Sequence, residues 1–246
     1  HLIARSRKET LPEKIMDALS QVEGAYSFLI QTEDTLIAVR DQYGFRPLCM
    51  GRMGETTVFA SESCALDLIG AKYERDINPG EMVVVNDEGV NAYQVTTDVE
   101  KHHCIFEYVY FSRPDSRIYG KNVDKTRRKL GKLLAQEAPC PEADRVISVP
   151  DSSNTAALGY ARESGKRFEI GLIRNHYIGR SFIHPTQSMR ATSVKIKFNT
   201  VEGVLNGKKV VVVDDSIVRG TTLKSLTKLL REAGAEEVHI RISSPP

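Results

Sequence analysis

The sequence has 246 residues, of which 41% are hydrophobic and 27% are charged, and its formal net charge is only +2. Because the basic residues are scattered, this balance argues against a nucleic-acid partner. No apolar run approaches the roughly 20 residues that a membrane helix needs, so no membrane association is expected. The four cysteines, Cys49, Cys64, Cys104 and Cys140, lie far apart without a CxxC spacing. That pattern favours a reducing, cytoplasmic location over a disulfide framework.

The two ends of the sequence differ from those of a complete globular chain. It opens on HLIARSRKET, without an initiator Met, a signal peptide or a transit composition. It closes on VHIRISSPP, a strand-like alternation with nothing after it. We therefore expect a fragment that lacks both ends of a longer protein.

Short strand patterns dominate residues 1–98. A helix is predicted to begin at Pro12, because Ile15, Ala18, Leu19 and Val22 share one helical face before Gly24. Six apolar stretches follow at close spacing: AYSFLI, TLIAVR, LCMG, TVFAS, EMVVVN and NAYQV. The pattern predicts a domain of mostly antiparallel sheet with one or two helices.

Helices and strands alternate in residues 99–246. The predicted helices are DKTRRKLGKLLAQEA, TAALGYARESG and LKSLTKLLREAG, and the predicted strands are RVISV, FEIGLI, KKVVVVD and EVHIRIS. Such alternation is typical of an α/β domain in which helices flank a parallel sheet. The sequence thus predicts two domains, with the boundary between residues 98 and 99.

Two adjacent carboxylates, Asp214 and Asp215, end the most apolar strand pattern. Ligands of open α/β sheets bind beyond the carboxyl ends of the strands, which is where these residues fall. The following SIVRGTT is small and rich in hydroxyl groups, and it leads into a helix start that favours a phosphate. Neighbouring carboxylates suit ribose hydroxyls or a hydrated Mg²⁺. A sugar phosphate is the predicted ligand, and the simpler alternative is that the Asp residues only cap the helix.

The segment VVVVDDSIVRGTT (residues 210–222) resembles the phosphoribosyl pyrophosphate (PRPP) motif of type I phosphoribosyltransferases. The residues DDSIVRGTT within it resemble the form of this motif in the amidophosphoribosyltransferase family. Further segments resemble that family in the same order: GAYSFLI, RDQYGFRPL, SESCALDLIG, CIFEYVYFSRPDS, VPDSSNTAALGYA, RNHYIGRSFI and SVKIKFN. The resemblance implies a partial N-terminal-nucleophile glutaminase domain over residues 1–98. A type I phosphoribosyltransferase domain, truncated at its C-terminal end, would follow over residues 99–246.

The resemblance implies a role for each loop. VPDSSN becomes the pyrophosphate loop, with Ser152 and Ser153 binding PRPP, although a plain turn with a serine helix cap is the alternative. RNHYIGRSFIHPTQSMR becomes a lid, with Tyr177 and Arg180 catalytic, although its arginines could simply be solvated. The PRPP-binding residues continue through Asp214, Asp215, Ser216, Ile217, Val218, Arg219, Gly220, Thr221 and Thr222.

The implied reaction is displacement of pyrophosphate from C1 of PRPP by ammonia, the first step of purine nucleotide synthesis. Its transition state carries oxocarbenium character, so charge stabilisation matters more than a covalent nucleophile. Mg²⁺ and Arg180 would stabilise the leaving pyrophosphate, and Asp214 and Asp215 would be catalytic. Ser153, Asp214 and Asp215 are the implied Mg²⁺ ligands. Purine nucleotides as inhibitors and a homo-oligomer are also expected.

The sequence departs from the family pattern in two places. The family releases ammonia from glutamine with an N-terminal cysteine, whereas residue 1 here is His. Cys104 matches one ligand of the [4Fe-4S] cluster found in many members, but the other three would lie after Pro246. Without the resemblance, Cys104 would be interpreted as a small buried thiol.

Two other functions fit part of the pattern. One is a phosphoribosyltransferase with a nucleobase acceptor, which would not need the β-rich first domain. The other is a regulatory protein that binds PRPP or nucleotide on the same fold. A complete lid segment argues against the regulator, since a sensor has no leaving group to stabilise.

Overall fold

The structure is a computed structural model, and it describes residues 1–96, 99–175 and 197–245. The chain forms two compact units. The first comprises His1–Glu107 and Asp115–Val123, and the second comprises Tyr108–Pro114 and Asp124–Pro246. The domain boundary expected between residues 98 and 99 stays a prediction, whereas the compact units change over between Glu107 and Asp124.

Hydrogen bonds show why the chain alternates between the units in this stretch. In the first unit, Ser116 Oγ donates to Glu62 Oε2 at 2.7 Å, and the Tyr119 hydroxyl donates to the Phe45 carbonyl at 2.7 Å. In the second unit, the Arg127 guanidinium donates to the carbonyls of Tyr108 and Ser112. Each short piece is therefore held by side chains of its own unit.

The described residues of the first unit form three small antiparallel sheets and three helices. Its first segment, His1–Glu107, contains α1 (Leu2–Arg5), α2 (Leu11–Leu19), β1 (Ser27–Gln31), β2 (Leu36–Arg40), β3 (Cys49–Met53), β4 (Thr56–Ala60), α3 (Ser63–Leu68), β5 (Lys72–Asp76), β6 (Glu81–Asn86) and β7 (Gly89–Gln94). The hairpin β8 (Arg117–Ile118) and β9 (Lys121–Asn122) completes the list, and a π-helical turn over Glu107–Phe111 lies mostly in the second unit. The strand orders are β1-β2-β6-β7 and β4-β3-β5.

Strand β2 has buried side chains on both of its faces. Ile37 and Val39 pack in a core with Ile15 of α2, while Ala38 packs in a second core with Met50 of β3. This alternation follows from the two-residue period of a strand. A capping box between Thr10 and Glu13 begins α2, whose Ile15 and Leu19 pack in the first core.

The second unit contains a four-stranded parallel sheet. Its elements are α4 (Val123–Glu137), β10 (Arg145–Ser148), α5 (Asn154–Ser164), β11 (Arg167–Phe168), β12 (Leu172–Arg174), β13 (Phe198–Thr200), α6 (Glu202–Leu205), β14 (Lys209–Asp214), α7 (Thr221–Glu232) and β15 (Glu237–Ile242). The sheet has the order β11-β10-β14-β15, and β12 and β13 form a separate antiparallel pair. The fold class expected from the sequence is confirmed.

The valines of β14 are fully buried and face two different cores. Val210 and Val212 pack in one core with Leu226 of α7, and Val211 and Val213 pack in the other with Ala157 of α5. Helices thus cover both faces of the sheet, as a central parallel strand requires.

Helices α4 and α5 approach each other closely at two glycines. A Cβ atom on Gly131 would lie 1.8 Å from the Ala156 carbonyl oxygen, and one on Gly159 would lie 2.1 Å from the Arg128 carbonyl oxygen. Backbone therefore packs on backbone here, and this contact helps to fix α5, whose first turn borders the candidate site.

One strand expected from the sequence is wrong as drawn. FEIGLI was expected to be a single strand, but β11 pairs in parallel with β10, and β12 pairs antiparallel with β13. Gly171 lies between them, and a Cβ atom there would meet the Ile147 side chain at 2.8 Å. The close approach at this glycine lets the chain leave the parallel sheet.

Candidate functional site

The candidate site lies at the carboxyl edge of the parallel sheet in the second unit. Strands β10 and β14 are direct neighbours, with Ser148 opposite Val213. The loops that follow them, residues 149–153 and 215–220, therefore leave the sheet at the same edge. Helices α5 and α7 begin directly after these loops, so two helix N-termini lie at this edge.

Hydrogen bonds join the two loops through the carboxylates. Ser152 Oγ donates to Asp215 Oδ2 at 2.5 Å, and Ser153 Oγ donates to Asp214 Oδ1 at 3.3 Å. The Asp215 backbone N–H also donates to Asp214 Oδ1 at 2.9 Å, and Ser216 Oγ donates to Asp215 Oδ1 at 2.6 Å. All these partners are neutral donors, and a ligand with hydroxyl groups can replace the three serine hydroxyls among them.

Both carboxylates are buried although they carry like charges. Asp214 is 8% exposed and Asp215 is 7% exposed, and Ser153 beside them is fully buried. Burial raises the pKa of Asp214 to about 6, and the neighbouring Asp215 charge contributes to the same shift. The charge of Lys197 acts in the opposite direction. A cation or several hydrogen-bond donors would stabilise the charged pair.

The loop between Asp215 and α7 has the features of an anion site. Gly220 takes the left-handed conformation at φ 69° and precedes the first turn of α7, which lacks a side-chain cap. Ile217 and Val218 are 54% and 89% exposed. The N–H groups of this helix start are thus available to an anion.

The structure brings together part of the predicted site. Ser152, Ser153, Asp214, Asp215 and Ser216 form one hydrogen-bonded group. Residues Ile217 to Thr222 follow as the loop and first turn of α7, and their binding role stays a prediction. Tyr177 and Arg180 lie outside the described residues.

The sequence interpretation counted Arg174 among the cationic residues of the lid segment and gave no role to Lys197. Arg174, at the end of β12, forms an ion pair with Asp151 of the loop over residues 149–153, with Nη1 to Oδ2 at 3.2 Å. The positive charge of Lys197, just before β13, acts to lower the pKa of Asp214. Both residues lie in segments that carried the family resemblance, but nothing in their spacing ties them to the carboxylates.

Cys104 lies in the first unit and is partly exposed. Its backbone N–H donates to the Phe45 carbonyl at 3.1 Å. Among the described residues, Cys104 belongs to no group of three or more His, Cys, Asp or Glu side chains that could hold a metal. The donor set described for this position therefore does not by itself fit an iron–sulfur cluster.

Within the described ranges, no helix combines the length and the apolar composition that crossing a membrane requires.

Comparison with known proteins identifies two parts of the chain. Residues 142–243 match the family described as the phosphoribosyl transferase domain, which includes the buried carboxylates. Residues 2–68 match the glutamine amidotransferase domain. The chain thus carries a transferase domain of the phosphoribosyl class together with amidotransferase sequence.

Matches over the whole chain are more specific. The chain is 52% identical over 246 residues to amidophosphoribosyltransferase of Bacillus subtilis (strain 168), and 55% identical over 247 residues to the chloroplastic amidophosphoribosyltransferase 1 of Arabidopsis thaliana. All of this chain is covered, with 52% and 44% of those proteins. The chain is similar to amidophosphoribosyltransferases along its whole length, and it spans about half the length of these relatives.

Solved structures agree with the sequence matches. The structure of glutamine PRPP amidotransferase from B. subtilis complexed with ADP and GMP has a TM-score of 0.93 and 52% identity, covering 100% of this chain and 54% of that one. A structure described as the allosteric regulatory enzyme of purine biosynthesis gives the same TM-score and identity, with 53% of that chain covered.

Proposed function

We propose that the protein transfers an amino group to C1 of PRPP with loss of pyrophosphate, giving 5-phosphoribosylamine, the first step of purine nucleotide synthesis. The nitrogen would come from glutamine as ammonia, and the enzyme would be a glycosyltransferase. The carrying observation is the buried pair Asp214 and Asp215, whose described partners are neutral donors at the edge of a phosphoribosyl transferase domain.

The carboxylates would bind the ribose of PRPP. Hydroxyl groups of the sugar would donate to Asp214 and Asp215 in place of the Ser152 and Ser153 hydroxyls. The negative pair would then lie close to the positive charge that develops at C1 as pyrophosphate leaves. Binding of the remote parts of PRPP would hold C1 at this position.

The two helix starts would bind the phosphate groups. The loop from Ser216 to Gly220, with the first turn of α7, would hold the 5-phosphate through backbone N–H groups and hydroxyls. The loop around Ser152 and Ser153 would hold pyrophosphate, with Arg174 as a nearby cation. Tyr177 and Arg180 keep the catalytic roles that the family resemblance implies.

Mg²⁺ is the proposed cofactor. The residues fit it because the buried carboxylates of Asp214 and Asp215 and the Ser153 hydroxyl place hard oxygen donors side by side. When bound, Mg²⁺ would neutralise charge on the pyrophosphate group. The chain's own residues would orient the ribose and exclude water from the carboxylates.

Several further expectations stay proposals. Purine nucleotides would act as inhibitors, supported by the B. subtilis relative solved with ADP and GMP. A homo-oligomer, a cytoplasmic location and a [4Fe-4S] cluster stay predictions. For the cluster, the described residues supply Cys104 alone, so no step is assigned to it.

The proposal is tested by replacing the carboxylates. In the double variant Asp214→Ala with Asp215→Ala, affinity for PRPP with Mg²⁺ should fall about 100-fold or more, because each hydrogen bond to a charged group contributes about 1.5–3 kcal/mol. Calorimetric titration measures the affinity. An assay with PRPP and an ammonium salt measures phosphoribosylamine formation without requiring glutamine hydrolysis. It is run at about pH 8.5, because the fraction of ammonium that is deprotonated to ammonia rises with pH.

The exposed turn residue Asp87 provides a matched control. Asp87→Ala should bind PRPP as the parent protein does. Unchanged affinity in the double variant would refute the site, and binding without any amine product would favour the regulatory alternative.

A further inference from the structure

A second group of ligand-type side chains lies in the parallel-sheet unit, apart from the carboxylate site. Cys140 and Glu142 come from the segment between α4 and β10, and His239 is the third residue of β15. Their ligand atoms all lie within 4.8 Å of one another. His239 pairs with Val211, whereas Asp214 pairs with Ile242 at the other end of the strands. The group therefore belongs to the amino-terminal half of the sheet.

The imidazole of His239 is oriented as a metal-binding imidazole usually is. Its Nδ1 lies 3.6 Å from Glu142 Oε1, and its Nε2 lies 2.9 Å from Glu237 Oε2. The other carboxylate oxygen of Glu237, Oε1, forms an ion pair with Lys209 Nζ at 2.6 Å. Histidine ligands commonly hold their second nitrogen against a carboxylate in this way, which fixes the ring and its tautomer.

The segment that carries Cys140 and Glu142 is held at both ends. At its start, the Arg241 guanidinium donates to the carbonyls of Ala138 and Pro139. At its end, Asp144 exchanges two hydrogen bonds with the backbone of Lys209, at 2.8 and 2.9 Å. The ligand positions are thus largely formed before any ion binds.

Burial divides the group into a fixed part and an accessible part. Cys140 is 2% exposed and packs in the core with Ala143 and Val146, and its thiol lies within 4.8 Å of the Glu142 carboxylate. Glu142 is exposed and His239 is partly exposed. An ion could therefore enter from solvent and displace the thiol proton, since the thiolate is the form that binds metal.

We propose that Cys140, Glu142 and His239 bind a Zn²⁺ ion, with a water molecule as the fourth ligand and Glu237 as the residue that positions His239. Sulfur, nitrogen and oxygen ligands are the set that Zn²⁺ takes, and bonds of about 2.0–2.3 Å place neighbouring ligand atoms of a tetrahedron roughly 3.3–3.8 Å apart. The 3.6 Å between His239 and Glu142 already lies in that range. The site is independent of the proposed transferase function.

This site differs in chemistry from the carboxylate site at the other edge. Asp214, Asp215 and Ser153 offer only hard oxygen atoms, which suit Mg²⁺. A thiolate and an imidazole select a softer transition metal. The two sites should therefore be distinguishable by the metal that each one takes.

Titration with Co²⁺ tests the proposal, because its thiolate complexes absorb light and Zn²⁺ does not. The reduced protein, stripped by a chelator, should bind one Co²⁺ at this site with a thiolate-to-cobalt charge-transfer absorption, and Zn²⁺ should displace it. Cys140→Ser should abolish that absorption. Glu237→Gln should keep it while weakening affinity about 10–100-fold.

Cys64→Ser is the matched control. Cys64 is also a buried thiol near a carboxylate, with Sγ 3.9 Å from Glu62 Oε2, but it belongs to no three-ligand group among the described residues. This variant should titrate as the parent does. Glu142→Gln, on the exposed segment, should weaken binding without affecting the fold. The proposal is wrong if the parent shows no charge-transfer absorption, or if the absorption survives Cys140→Ser.

Discussion

Two regions of the molecule bury charged residues at the end of a strand, and they do so differently. Arg40 ends β2 and is followed by Asp41, and these residues are 2% and 0% exposed. Asp214 ends β14 and is followed by Asp215, and these are almost as deeply buried. The first pair has opposite charges, whereas the second pair has like charges.

The partners of the first pair come from the backbone. Arg40 donates from three nitrogens to the carbonyls of Arg46, Ile77 and Gly44, at 2.6 to 2.8 Å. Asp41 accepts backbone N–H groups from Tyr26, Tyr43 and Phe45. Every one of these contacts closes a loop onto a strand end, so the pair organises the fold of the first unit.

The partners of the second pair are mostly serine hydroxyls, which also bond well to water or to a ligand. No charge of opposite sign is paired with Asp214 or Asp215 in an ion pair of the described residues. Burial of a charge is therefore not what marks a binding site. The marks are like charges together and partners that a ligand can replace.

The largest expected effect tests the first region. Arg40→Met should lower the free energy of unfolding by about 3–5 kcal/mol, because it leaves three carbonyls and the Asp41 carboxylate buried without their cation. Urea denaturation measures the change. Arg52→Met in the same unit removes a half-exposed ion pair with Glu74 and should cost at most about 1 kcal/mol. Similar losses in both variants would contradict the structural role of Arg40.

The second effect has opposite signs in the two regions. The folded protein keeps the proton of Asp214 up to a pH of about 6, whereas an unfolded aspartate releases it near pH 3.9. The contribution of Asp214 to stability therefore falls as pH rises from about 4 to about 6 and stays low above that. Asp214→Asn should raise the free energy of unfolding at pH 8, by at most about 3 kcal/mol, and change little at pH 4.

The same substitution at Asp41 should lower stability at pH 8. Both Asp41 oxygens accept backbone N–H groups, and an amide would turn a donor toward one of them. Denaturation curves at the two pH values compare the variants. A gain in both, or a loss in both, would remove the distinction between the regions.

The smallest expected effect concerns the placement of the serine hydroxyls by α5. Gly131→Ala should cost about 1–3 kcal/mol of stability through overpacking against the Ala156 carbonyl, and it should weaken PRPP binding. A Cβ atom on Gly203 in α6 would meet no atom within 4 Å. Gly203→Ala should therefore leave the free energy of unfolding unchanged or raise it by up to about 1 kcal/mol. Equal PRPP affinity in both variants would show that the α4–α5 contact does not position the site.

Sequence patterns predicted the elements that have a clear period. The valine run of β14 and the helices α4, α5 and α7 occur within one or two residues of their expected bounds. The short strand β5 was not predicted, because KYERD is mostly charged and its pairing with β3 is decided by tertiary contact. The split of FEIGLI depends on the approach of Gly171 to Ile147, which no local pattern shows.

The site was predictable where it follows the strand ends. Asp214 and Asp215 had to lie at the carboxyl edge once β14 was a parallel strand. The hydrogen bonds from Ser152 and Ser153 needed β10 and β14 to be neighbours, which the sequence alone left open. The ion pair of Arg174 with Asp151 and the influence of Lys197 depend on β12 and β13, whose antiparallel pairing was not anticipated.

The four valines of β14 affect how well the pairing register of this strand is specified. Since valine faces both cores, a slip by one residue would still put valine in most core positions, so the run carries little information about alignment. That information must come from the polar ends. Lys209 is anchored to Asp144 and Glu237, and Asp214 and Asp215 to Ser153 and Ser152. The carboxylates proposed to bind the sugar thus also form one of the two sets of polar contacts that fix the register of β14 in the sheet.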